Sequence, residues 1–553
     1  MVLIKEIDRK PVDLTSKSEK CHAYEEALDL AGTGRYNLWL LIATSVVTIS
    51  MGLDMFGFSV VVAGCTCDFQ LTLTQKGILT SMPFAGAITM AYPWGYFSDT
   101  RGRRNCLLVA MTVSCACAVL CSFSPNWIVM AVLKMIGTSF CSAVQSITYS
   151  LLGECTPRRV RGAYMMVMTA SLMSTTWLYF VLSFVLKLNF VHDLGIWGIT
   201  FRPWRLLALI MATPLGLGAL CLSFCFESPK FLANQGRTED AVRILRKIHA
   251  INYGNEEGYS VKSLHLEEEN NATPRGQEPI LASIWNQTVP LFKPPLLWKT
   301  LQLYYLTAVI YSSNNSFVMW YPFITNAFFV SYGRGVTEIN GLCQLITAGI
   351  SPSSSSDNST TAADTEVCRD SLEDLTVYSG ILLSVLFTII NLILAKFSKR
   401  KKVVMITTLL ASIVGGVVTN LVPEAFTAMA LFMLFLITAM GIGILFSYYV
   451  DLYPTSYRGM VACLGVMVAR LSSLIGTNVV GAFIKDHCTT TFYAWSVYIC
   501  CSFTKLSSGK RTGKPSKSRW SSLPMESRNP KGVTSALPAS WEEIGFLVER
   551  KSG

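Results

Sequence analysis

Apolar runs dominate the chain, and most are about as long as a helix needs to cross a hydrocarbon core. They fall at about Leu38 to Ala63, Gly77 to Phe97, Cys106 to Phe123, Trp127 to Leu152, Gly162 to Leu186 and Leu206 to Phe226. A polar stretch from Glu227 to about Lys299 interrupts them. They resume at Leu301 to Phe329, Val377 to Phe397, Val403 to Leu421, Ala425 to Tyr448 and Met460 to Ile484. A last run, Phe492 to Phe503, stops after about a dozen residues, short of the roughly twenty that a span needs. The pattern predicts an all-α membrane protein of two six-helix bundles with the twelfth helix truncated. The bundles occupy residues 37–226 and 300–503, joined by a cytosolic linker at 227–299. A polar tail at 1–36 precedes them, and a basic, Ser-rich tail without periodicity, 504–553, is expected to be disordered. Glu25 to Leu30 suits a short helix. Thr238 to His249 puts Ala, Val, Ile and Leu on one face and Arg and Lys on the other, which fits a helix lying on anionic lipid or a solvated linker helix.

Charge orients the pattern. Loops on the N-terminal side carry Arg101, Arg103, Arg104, Arg158, Arg159, Arg161, the linker, Lys399 to Lys402 and Arg458; the opposite loops carry few cations. Such a bias puts the N-terminus in the cytosol and the loop Val330 to Asp374 outside or in a lumen. Asn358-Ser359-Thr360 in that loop is then a glycosylation acceptor on the correct side. Cys343 and Cys368 share the loop and are expected to pair in an oxidising compartment. The net charge of +11 therefore reads as topology, not as a nucleic-acid surface. With 15% charged residues, against about 25% in soluble domains, the chain is not a soluble one. Most of the 17 cysteines lie in apolar runs and the five histidines are scattered, so neither a metal site nor a cofactor is expected. No nucleophile–histidine–acid constellation, dinucleotide loop or GxxxxGK[ST] motif appears, which argues against an enzyme and against transport driven by ATP. The first thirty or so residues hold no apolar core, so the first span is expected to serve as signal anchor.

Four charged motifs punctuate the spans. Gly95 to Asn105 (GYFSDTRGRRN) follows the second, and Glu154-x-x-Pro157-x-x-x-Arg161-Gly162 the fourth. Glu227-Ser228-Pro229-Lys230-Phe231-Leu232 follows the sixth, and Asp451-Leu452-Tyr453-Pro454-Thr455-x-x-Arg458-Gly459 the tenth. Gly95 and Gly102 remove side chains where backbones must pass close or turn sharply. From about Tyr36 to Phe503 these motifs resemble the sugar-porter-like members of the major facilitator superfamily. The acidic residue in GLDMFGF (Asp54), the FESPKFL linker and the glycosylatable loop are similar to the synaptic vesicle glycoprotein 2-related, organic-ion-transporter-like branch. The chain departs from those patterns in four places. Lys396 to Lys402 keeps the cations of the repeated loop but lacks its acid and glycine. Lys134 stands where sugar porters usually carry arginine. The long luminal fold of the vesicle glycoproteins and the family's closing motif are missing.

The resemblance implies a monomeric secondary transporter of a small organic solute in the plasma membrane or a synaptic-type vesicle, with protons as the candidate coupling ion. Such a fold alternates access to a midplane site. It equally admits a non-transporting vesicle protein acting in trafficking or binding. The implied gating network is Gly95, Asp99, Gly102, Arg103, Arg104, Glu154, Arg161 and Glu227, with Asp451 and Arg458 as the second-half counterpart; the plainer alternative is that these charges only set topology. The candidates for solute or proton are Asp54, Gln145, Asn314, Asn315, Trp320 and Arg470. Asp54 is expensive inside a bilayer, and three roles are open to it: proton carrier, partner of a cationic substrate, or structural bond to a neighbouring helix. Arg470 is placed to balance Asp54 or to bind an anion. Aromatic rings with one carboxylate suit an organic cation, and amides with hydroxyls suit a sugar; both sets are present.

Overall fold

The computed structural model describes residues 21–193, 195, 200–255, 258–265, 288–294, 296–333, 341–350, 371–396, 400–453 and 455–507. Asn358, Cys368 and the side chains of Asp451 and Arg458 lie outside the described residues. Nine described helices are long and apolar enough to cross a membrane: Arg35–Gly64, Arg103–Ser122, Trp127–Glu154, Arg158–Lys187, Pro203–Ser223, Asp374–Asn391, Lys401–Val418, Ala425–Leu445 and Met460–Phe483. Leu73–Arg101, Leu297–Gly333 and Cys488–Ser507 complete a series numbered here as spans one to twelve in chain order.

Local chemistry sets where several spans begin. Thr72 and Gln75 form a reciprocal capping box at the start of span two, with bonds of 3.3 and 2.9 Å. Asn126 Oδ1 accepts the Val129 N–H at 2.9 Å ahead of span four, and the Glu424 carboxylate accepts the Phe426 and Thr427 N–H groups ahead of span ten. Pro203, with its fixed φ, opens span six.

Packing repeats between the halves. Span one lies on spans five and six, and span three on spans four and six; likewise span seven lies on eleven and twelve, and span nine on ten and twelve. The halves meet where span two packs on span eleven and span five on span eight.

Two expectations change here. The twelfth helix, Cys488–Ser507, has 20 residues, about 30 Å at 1.5 Å per residue, eight more than its apolar run Phe492 to Phe503, and is not among the nine helices apolar enough to cross a membrane. The hydroxyls at its polar ends bond carbonyls one turn back, Thr491 to His487 at 2.9 Å and Thr504 to Cys500 at 3.2 Å. Cys343 pairs with Cys488, not Cys368, with Cα atoms 5.6 Å apart. A helix inside the outer loop, Leu342–Ile350, tucks against span seven through a bond of 2.8 Å from Ser331 Oγ to the Leu345 carbonyl, and so carries Cys343 to the start of span twelve. Finally, the amphipathic linker helix, Thr238–Tyr253, does not offer its apolar face to lipid. Its buried Ala241, Val242, Leu245 and Ile248 share a core with buried Ala27, Leu28 and Ala31 of the helix Tyr24–Ala31. Cys21–Ala23 also pairs in parallel with Ser263–His265 in the linker. The residues just ahead of span one are therefore folded onto the linker.

Candidate functional site

Two sets of polar residues stand out, one inside the bundles and one on the face that carries the arginine-rich loops, called here the basic face; the opposite one is the far face.

Inside the first half, Asp54 on span one and Lys134 on span four are 7% and 6% exposed. Lys134 Nζ donates to Asp54 Oδ1 at 2.5 Å and lies 4.6 Å from the centre of the Phe58 ring. Lys134, not Arg470, is thus the counter-charge of Asp54. Arg470 on span eleven is 5% exposed, and its Nη2 donates across the seam between the halves to Gln145 Oε1 on span four, at 2.5 Å. Nearby on span seven, Asn315 Nδ2 donates to Ser473 Oγ at 2.9 Å and Asn314 Nδ2 to Asn315 Oδ1 at 3.0 Å. Trp320 sits farther along the seam. Its Nε1 donates to the Thr477 carbonyl at 2.9 Å, and its ring packs on Gly481, where any Cβ would strike it. The structure brings Gln145, Arg470, Asn314 and Asn315 into one region, leaves Asp54 with Lys134, and makes Trp320 a packing residue.

On the basic face, Arg103 is the centre. It pairs with Glu154 at 3.2 Å and with Asp99 at 2.9 Å, and its Nη1 donates to the Ser98 carbonyl at 2.6 Å. Ser228 Oγ donates to Glu154 while accepting the Phe231 N–H at 3.1 Å, so the Ser-Pro of the third motif both caps the helix Pro229–Asn234 and ties it to span four. Arg104 and Glu227 cap two helices reciprocally. Arg104 donates to the Leu222 and Ser223 carbonyls at the end of span six, at 3.2 and 2.7 Å. Glu227 accepts the Arg104 N–H at 3.0 Å at the start of span three, where the helix dipole favours a carboxylate. Gly102 has φ +98°, and a Cβ there would collide with the Glu227 carboxylate, so the turn requires glycine. Gly95 differs from expectation: a Cβ would meet no atom within 4 Å, so no close backbone approach demands it in this conformation. Arg161 does not join Glu154. It forms a two-pronged pair with Glu25, at 3.3 and 2.8 Å, and Arg158 reaches the same carboxylate at 3.4 Å. Tyr24 of the same helix donates to the Glu154 carbonyl at 2.6 Å.

Glu25, Tyr24 and Ser228 were not singled out in sequence. The acidic first turn of YEEALDLA beside a basic face was the available signal for the first two. Also missed was a first-half network on the far face. Arg205, 2% exposed, donates to the Ser122, Ser124 and Thr200 carbonyls at 2.8 to 2.9 Å and pairs with Asp68 at 3.6 Å.

Side-chain contacts between the halves include the Gln145–Arg470 bond and several toward the far face. Asn478 Nδ2 donates to Ser81 Oγ at 2.9 Å, Lys187 pairs with Asp374, Lys76 lies 4.6 Å from the centre of the Phe323 ring, and Phe180 meets Tyr321 edge-on.

Known proteins share this fold. Structures of the xylose transporter XylE from E. coli superpose over most of the chain. One in a partially occluded, inward-open conformation gives a TM-score of 0.59 at 12% identity, covering 87% of this chain and 99% of that one. In sequence, the organic cation/carnitine transporter 7 of Arabidopsis thaliana is 27% identical over 41% of this chain and 43% of its own length. The human synaptic vesicle glycoprotein 2B is 24% identical over 43% of this chain and 35% of its own. The chain thus matches less than half the length of these relatives. The family profile of the Major Facilitator Superfamily matches residues 44–356, more than half of the chain. Its span order, its half-to-half repeat and this match agree: the chain is a multi-pass membrane protein and belongs to the Major Facilitator Superfamily.

Proposed function

We propose that the protein is a secondary transporter that moves a small organic solute by alternating access and couples transport to protons through Asp54. The observation that carries this reading is the buried Asp54–Lys134 pair. Burying two charges costs several kcal/mol per ion, and packed apolar side chains of similar size would serve stability as well or better. A carboxylate held against an ammonium inside a bundle is instead a two-state element. Protonating Asp54 removes its charge and releases Lys134, which changes the bonds available to spans one and four. The seam contacts near the far face fit a conformation closed on that side, and the positive loop charges support a cytosolic basic face. The first-half network then acts as a gate element, with Asp451 and Arg458 as its partners from the second half. Asn358 is a glycosylation acceptor on the far side, in the plasma membrane or a vesicle membrane. Similarity to a xylose transporter and to an organic cation/carnitine transporter supports solute transport.

The test is uptake into proteoliposomes with and without a pH gradient, comparing the natural chain with Asp54→Asn. Stimulation by the gradient, lost in Asp54→Asn while folding persists, is the expected result. Equal stimulation in both removes Asp54 from coupling. A second reading, a non-transporting vesicle protein, is favoured by the eighth-to-ninth loop, which lacks the acid and glycine of its first-half counterpart. Absence of uptake for every solute class by a folded protein would select it.

A further inference from the structure

Span twelve is short of apolar surface, and it turns part of what it has outward. It is absent from the nine helices apolar enough to cross a membrane. Span seven shares that absence, yet most of its residues are buried among other helices. On span twelve Val497, Cys501 and Thr504, at positions i, i+4 and i+7, form an exposed face. Among the described free cysteines Cys501 alone is exposed, with half-buried Cys500 beside it. The span starts at the Cys343–Cys488 bond on the far face and ends on the basic face, so Cys501 lies about 20 Å along it, one turn before Lys505. Lys505 is the first of six cations in Lys505 to Arg519, with no acid among them. A basic run beside a span suits an anionic leaflet, and a cysteine pair beside such a run is in the setting where thiols take fatty acyl chains.

A groove of about 460 Å³ lies at the same level, between spans eleven and twelve and floored by span seven. No charged side chain lines it. Leu471 and Ile475 of its wall are 49% and 55% exposed, so it opens on the outside of the bundle. From Val468 to Val479 it follows span eleven for about 17 Å. Ala494 and Tyr498 line it from span twelve, and Cys501 continues their row at i+7, one turn beyond the wall and toward the basic face. The thiol thus stands at one end of a long, uncharged, outward-opening slot.

We propose that Cys501 is S-acylated by a long-chain fatty acyl group and that the chain lies in the groove between spans eleven and twelve. The acyl donor is a thioester of the acyl-coenzyme A class. The Cys501 thiol gives up its proton as its sulfur attacks the thioester carbonyl carbon. The new S–C bond forms, the donor's C–S bond breaks, and coenzyme A leaves as a thiol carrying that proton, with no change of oxidation state. A chain tethered at the mouth of the groove meets it at high effective concentration, which a free lipid tail does not. The buried methylenes supply apolar contact to a span that has little, and the basic run is the second signal that a single chain needs for stable anchoring.

The full chain, purified from eukaryotic cells, is tested by thioester exchange. Free thiols are blocked under denaturing conditions, neutral hydroxylamine cleaves thioesters, and the thiols released are labelled. The natural chain should take the label, keep it in Cys500→Ser and lose it in Cys501→Ser. No label on the natural chain, or a label that survives Cys501→Ser, overturns the proposal. The groove is read separately in the folded protein. Hydroxylamine should lower the thermal midpoint of the natural protein and leave that of Cys501→Ser unmoved. Ala494→Phe, which narrows the groove, should keep the label and lose this shift. A labelled natural protein whose midpoint hydroxylamine does not move refutes the groove as the place of the chain.

Discussion

The far face and the basic face are built to different ends. On the far face, beside the first-half network of Arg205, side-chain contacts cross from one half to the other: Lys187 to Asp374, Asn478 to Ser81, Lys76 over Phe323. On the basic face Arg103, Glu154, Ser228, Glu227 and Arg104 tie spans two, three, four and six of the first half into one block. The first arrangement holds a conformation; the second holds a shape. A rocking fold needs both. A half moves as a unit only if its own helices are fastened to one another, and it can move only if the bonds to the other half are individually weak.

The largest effect should come from the core between the two faces. Lys134→Met leaves Asp54 buried without a counter-charge, and breaking such a pair costs about 3–5 kcal/mol. The double variant Asp54→Asn with Lys134→Met should recover much of that loss in thermal unfolding, because nothing charged is then stranded. Equal destabilisation of the single and double variants would show that the pair matters by shape and not by charge.

Next come two carboxylates that share Arg103. Glu154 is largely buried and Asp99 is 68% exposed. Glu154→Gln should cost about 1–3 kcal/mol, since it loosens bonds from Arg103 and Ser228 together. Asp99→Asn should cost under about 1 kcal/mol. Similar losses would mean that the first-half block is not centred on Glu154.

The smallest change in stability belongs to the seam. Lys187→Ala removes one exposed ion pair worth about 0–1 kcal/mol. It should nonetheless shift the balance between conformations, raising the labelling of a cysteine placed at Asn478 by an impermeant maleimide added from the far side. Unaltered labelling would assign the seam to packing, such as Phe180 against Tyr321, and not to its charges.

These contrasts explain what the sequence could and could not tell. Spans were legible to within a few residues because about twenty apolar residues in a row leave few alternatives in a bilayer. The twelfth helix runs eight residues beyond its apolar run, into polar ends whose threonines bond carbonyls one turn back. The arginine motifs announced a network, yet not its wiring. Asp54 and Lys134 are 80 residues apart, and nothing local to either names the other. Arg161 was grouped with Glu154 by motif, whereas its carboxylate comes from Glu25, in a segment whose position depends on the folded linker. Cys343 was paired by nearness in sequence with Cys368, but its bond spans 145 positions to Cys488. Topology follows from composition; partners follow from tertiary structure.

The strand pairing of Cys21–Ala23 with Ser263–His265 has a consequence for how the molecule is made. The ribosome delivers the first of these segments before any span and the second only after six spans have emerged. The early segment meets its strand partner only once the linker has been made. When the linker arrives, the two close on each other and the Glu25 carboxylate reaches Arg161. Domains generally fold as units and in order of synthesis. Closure of this strand pair needs no residue of the second half, because both of its segments precede span seven.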